Sequence, residues 1–190
     1  IRDAQYYPDF DADQARAMAN ALRRFAQAIA HDDNGSLRDL FTTPTAFVND
    51  ALAPLYGVSP PGGDTLARVE LNPAERAGLL TPVGLLALNA RENESAPIQR
   101  GAFIQERVIC RALGAPPENV PPVPDIETST QRERLDLHTN SCGGICHEGL
   151  INNAGYAFEQ YGALGEFRTE DINGFTLDAL SSLVLDGEEK

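Results

Sequence analysis

The sequence predicts a mainly α fold, and three observations carry that reading. Apolar residues recur at three-and-four spacing over the first long segment. Helix-start pairs ending in proline recur along the chain, and strand signals are few. The 190 residues suit one domain or two small ones, and 42% apolar residues are enough for a packed core.

Taken in order, "DADQARAMANALRRFAQAIAHDDNG" is the strongest element. Ala15, Met18, Ala19, Leu22, Phe25, Ala26 and Ile29 share one helical face, with Met18 as core. Asp11 or Asp13 can cap its start, and Asn34-Gly35 ends it. "TTPTAFVNDALAPLYG" reads as a second helix. It has Thr43-Pro44 at its start, Phe47, Val48, Ala51, Leu52 and Leu55 on one face, Pro54 to end or kink it early, and Gly57 as the stop. "SPPGGD" then breaks the chain. Asn72-Pro73 and Thr81-Pro82 each open a further short helix.

A longer helix is expected from Pro97 to Leu113. Ile98, Ala102, Ile109 and Leu113 form its buried stripe, and Cys110 is a buried thiol near its end. "GAPPENVPPVPD" carries five prolines, which excludes helix and central strand and predicts an extended strap. "TSTQRERLDLHTN" reads as a short charged helix. "NNAGYAFEQYGALGEFR" reads as a turn or two of helix followed by a glycine-punctuated loop, with Phe158 and Tyr161 in the core, and the tail as a short strand pair.

A net charge of −13 and a pI near 4.5 argue against a nucleic-acid surface and against docking on anionic lipid. They suit a soluble protein, or one that meets a basic partner. No apolar run approaches a membrane span. The opening "IRDAQYYPDF" has no initiator Met, basic region or apolar run, and reads as internal to a longer chain.

The chemistry concentrates in "SCGGICH", Ser141 to His147, with the spacing C-x-x-x-C-H. Three readings stand open. In the first, Cys142 and Cys146 form thioethers to a c-type haem and His147 is the axial ligand, with Gly143-Gly144 absorbing the extra residue. A sixth ligand would come from His138, His31, Met18 or solvent. In the second, His138, Cys142, Cys146 and His147 bind zinc. In the third, Cys142 and Cys146 form a disulfide or stay as reduced thiols, and a coincidental spacing is what is left. The haem and disulfide readings both belong outside the reducing cytosol, so a periplasmic or cell-surface setting is expected.

No Ser-His-Asp order, phosphate loop or H-E-x-x-H motif is present, and nothing places a substrate between Glu159 and Glu166, so no catalytic residue is assigned. Arg76, Arg100 and Arg168 read as surface or buried ion-pair partners, with haem propionates as the alternative.

Several motifs together carry a resemblance. Arg76, Gly78, Leu79, Leu80 and Thr81 form one element. Ser95, Pro97, Arg100 and Gly101 form a second, and Cys110 with the Pro116-Pro117 and Pro121-Pro122 pairs a third. Arg132 and His138 precede Cys142, Cys146 and His147. Ile151, Asn152, Gly155, Tyr156, Ala157, Phe158, Glu159, Tyr161, Gly165 and Arg168 close the block. Over roughly residues 35–175 the chain resembles the cytochrome-like proteins of unknown function that abound in planctomycetes and myxobacteria. Two departures stand out: the cysteine spacing is wider, and Asn152-Asn153 occupies the place of an Asp-Pro pair.

The resemblance implies the end of a helical domain over residues 1–58. Over residues 65–190 it implies a cytochrome-like domain, with a Pro-rich strap and a small cytochrome-c-like haem-motif segment. It implies covalent haem c on Cys142, Cys146 and His147. The expected function is an exported mono-haem electron-transfer module of a larger protein, serving a redox partner or a neighbouring domain. The alternative is a non-redox structural or interaction domain clipped by a disulfide or metal.

Overall fold

Asp11 accepts a hydrogen bond from the Gln14 backbone N–H at 2.8 Å and so opens α1 (Ala12–Gln27), where the sequence expects a cap. The computed structural model describes residues 2–114, 123, 130–140, 147–171, 173–185 and 188–189, and over these the chain is mainly helical. It divides into two compact units, Ile1–Ser95 with Tyr161–Phe167, and Ala96–Gln160 with Arg168–Lys190. Most of the proline strap, and Cys142 and Cys146, lie outside the described residues. Among the described residues no helix is long and apolar enough to cross a membrane.

In the first unit α1 runs on into a π-helical segment, Ala28–Asp32, and Ser36 opens α2 (Leu37–Thr42) with a capping box shared with Asp39. The segment expected to be a second helix instead forms a strand, β1 (Thr45–Val48). It pairs antiparallel with β2 (Ala67–Glu70), Phe47 opposite Arg68. All four β1 residues are buried, Ala46, Phe47 and Val48 are apolar on both faces, and a short apolar run has no period that separates strand from helix. Pro54 does not end a helix; it occupies the first turn of a new one, α3 (Ala53–Tyr56), which Gly57 stops at φ 65°. The Asn72-Pro73 stretch forms turns, whereas Thr81-Pro82 does lead into α4 (Val83–Leu88).

The core of this unit gathers Met18, Phe25, Ile29, Phe47, Val48 and Leu52 with Val83 and Leu164. Arg76 lies inside it, 3% exposed. Its guanidinium donates to the carbonyls of Thr81 at 2.7 Å, Leu55 at 3.2 Å and Gly165, between the rings of Tyr56 and Tyr161. The expected surface or ion-pair role for Arg76 is thereby corrected. Its partners are main-chain carbonyls, and burial lowers its pKa below the usual arginine value.

In the second unit α5 (Pro97–Phe103) passes into a π-helical segment, Ile104–Val108, and stops short of the expected Leu113. Cys110 adopts φ 61°, a conformation that cannot continue a helix, and its side chain is exposed rather than buried. Next come α6 (Gln131–Asn140), a third π-helical segment, His147–Ile151, and α7 (Asn152–Tyr156). The tail forms the expected strand pair, β3 (Val184–Leu185) with β4 (Glu188–Glu189). α5 and α7 meet at two glycines. A Cβ on Gly101 would overlap the Ile151 carbonyl, and one on Gly155 would overlap the Pro97 main chain. Two motifs far apart in sequence are thus the two sides of one contact.

Candidate functional site

The site is built around His147, the first residue of the third π-helical segment. In an α-helix residues five apart are displaced by about 140° around the axis. The wider i→i+5 turn of a π-helix brings them toward the same side. His147 and Asn152 are five apart, and Nδ1 of His147 lies 3.2 Å from Oδ1 of Asn152.

Asn152 is 1% exposed and ties the imidazole to α6. Its Nδ2 donates to Thr139 Oγ1 at 3.0 Å and to the Tyr156 hydroxyl at 3.3 Å, with Asp136 Oδ1 at 3.5 Å. The Thr139 hydroxyl donates to the Leu135 carbonyl at 2.8 Å. The Tyr156 hydroxyl donates to Asp136 Oδ1 at 2.5 Å. Burial, then the bond to Asp136, raises the Tyr156 pKa, so the phenol keeps its proton.

The network continues to Arg132, whose guanidinium lies 4.4 Å from the centre of the Tyr156 ring. Its Nε donates to Glu159 Oε2 at 2.9 Å, and its other nitrogens donate to the carbonyls of Leu180 and Asp178. Glu159 is 2% exposed. Burial raises its pKa, and the Arg132 charge opposes the shift. Arg132, Asp136 and Thr139 are spaced i, i+4, i+7, so one stripe of α6 supplies three members of the network.

His138 is also buried on α6, on the neighbouring stripe with Gln131 and Leu135. Met18 is core in the first unit, as expected, and His31 is exposed there. Arg100 is 3% exposed and donates to the Phe158 carbonyl at 3.0 Å. Among the described residues no group of three or more His, Cys, Asp or Glu side chains is arranged to hold a metal ion. Sequence reasoning singled out His147 and His138 but not Asn152, Thr139, Asp136 or Tyr156 as a connected set. The signal available was the helical spacing upstream of the cysteines and the Asn at a position where the resemblance leads one to expect Asp.

Residues 76–171, just over half of the chain, match the family model PSCyt3, described as a protein of unknown function (DUF1588). Residues 1–58 match PSD4, described as a protein of unknown function (DUF1592). No curated protein and no solved structure matches the chain.

Proposed function

The chain belongs to the DUF1588 family, whose model carries a cytochrome-like name, and from that premise we propose that it is an exported mono-haem c-type electron-transfer module. The observation that carries the reading is the setting of His147. The imidazole directly follows Cys146 in sequence, and its Nδ1 is engaged by a buried side chain, which leaves Nε2 as the nitrogen for iron. Cys142 and Cys146 would hold the porphyrin by thioethers, His147 would bind the iron, and His138 on α6 would be a second candidate ligand. Bound haem would supply a reversible one-electron couple. The chain's own residues orient the imidazole through Asn152, which ties it to α6 by the bond to Thr139. The strongly acidic surface favours a basic redox partner, steered by long-range attraction. Thioether attachment needs an oxidising compartment, so a periplasmic or cell-surface location goes with this reading.

The test is production with an export signal in a host that has haem-maturation machinery. A Soret band that survives acid-acetone extraction is expected, and its loss in the Cys142→Ala and Cys146→Ala variants. A colourless product from that host overturns the reading. Stoichiometric zinc or a Cys142–Cys146 disulfide in that product would favour the structural clip.

A further inference from the structure

We propose that Asn152 is a positioning residue whose side-chain amide holds His147 in the Nδ1–H tautomer. The orientation of the amide follows by elimination. Three oxygens surround Nδ2: Thr139 Oγ1, the Tyr156 hydroxyl and Asp136 Oδ1. The Thr139 proton is already donated to the Leu135 carbonyl, and the Tyr156 proton to Asp136. An amide oxygen turned toward this trio would face three acceptors and no donor, in a site where Asn152 is 1% exposed. The nitrogen therefore points at the trio and the oxygen at His147. An oxygen acceptor 3.2 Å from Nδ1 requires the ring to carry its proton there. Nε2 is then the lone-pair nitrogen.

The imidazole of an unconstrained histidine favours the opposite tautomer, with the proton on Nε2. The network thus prepares in advance the form that can bind a metal through Nε2, and it does so with a neutral amide. The consequence for a ligand rests on the haem reading; the tautomer itself does not. Iron on Nε2 would force the same tautomer, so the haem-free 190-residue chain is the discriminating sample.

The experiment is long-range proton–nitrogen correlation NMR of the haem-free 190-residue chain above about pH 8, beyond the range in which histidine ordinarily titrates. In the wild type, Nδ1 of His147 is expected at the shift of a protonated ring nitrogen and Nε2 at that of an unprotonated one. Asn152→Leu keeps the size of the side chain and removes the acceptor, and is expected to shift the majority to Nε2–H. A wild-type ring with its proton on Nε2 overturns the proposal, and this first measurement needs no variant to fold. An Asn152→Leu chain with an unchanged amide spectrum elsewhere and an unchanged tautomer also overturns it. Haem incorporation is read separately by the Soret test, so either idea can fail without the other.

Discussion

In the first unit Phe25, Val48, Leu52 and Val83 are at most 1% exposed and pack into a continuous apolar cluster. In the second the most deeply buried side chains include Gln105, Thr139, Asn152 and Glu159, at most 2% exposed. Apolar burial is non-directional, so the first interior is specified by volume and shape. Buried polar groups each need a partner at a set distance and angle, so the second is specified bond by bond. A scaffold can be built the first way. A group that must be held in one orientation, such as His147, calls for the second.

The contrast can be broken most forcefully at its apolar end. Phe25→Ala should cost about 3–5 kcal/mol in chemical denaturation, since it removes a large, 1% exposed side chain. At the polar end, Arg132→Ala should cost about 3 kcal/mol by leaving the Glu159 carboxylate buried without its cation. The double replacement Arg132→Met with Glu159→Leu should recover most of that loss. A double variant as unstable as the single one would mean that area, not pairing, governs this interior too. Gly155→Ala should cost about 1–3 kcal/mol by pushing α7 off α5 without changing any polar group. A melting temperature unchanged by it would show that the glycine contact is loose.

The smallest effects are at a cap and in the pH response. Ser36→Ala should cost about 1 kcal/mol through the lost start of α2. The Ser36 hydroxyl, then its backbone N–H, lowers the Asp39 pKa. Asp39 therefore contributes stability that is present above its ordinary value and lost as pH falls through its folded value. Glu159 is shifted the other way by burial, so the folded state holds its proton longer than the unfolded chain. Its contribution is present below the ordinary glutamate value and declines as pH rises through the folded value. Denaturation midpoints across acidic pH should therefore flatten in Ser36→Ala and steepen in Glu159→Gln. Equal slopes in the two variants would contradict the assignment.

What the sequence made legible follows the same division. α1 is readable as a helix because apolar residues recur at helical spacing and Asp11 marks the start; the expected face is only partly the buried one, since Met18 and Phe25 are buried but Ala15 and Ala19 are exposed and Ala21 is buried instead. β1 is not, because Ala46, Phe47 and Val48 are apolar on both faces, and the partner strand that settles the matter begins only at Ala67. The early stop at Cys110 is a left-handed residue without glycine to announce it. At the site, His147 and His138 stand out by residue type. Asn152 is visible only as a departure from an expected Asp, because its role depends on a π-helical register and on hydroxyl protons of residues on two helices.

Arg76 has a consequence that is genetic rather than energetic. Its guanidinium is received by the carbonyls of Thr81, Leu55 and Gly165, and every amino acid brings a carbonyl. No substitution at those three positions deletes an acceptor by chemistry; a mutation there acts through geometry, as at Gly165, where φ is 80° and a Cβ would lie 2.8 Å from Val83 Cα. The Arg132–Glu159 pair, by contrast, is a bond between two side chains and can be lost at either of two codons. The first unit's anchor is therefore open to mutation through the shape of its surroundings, and the second's through the identity of its partner.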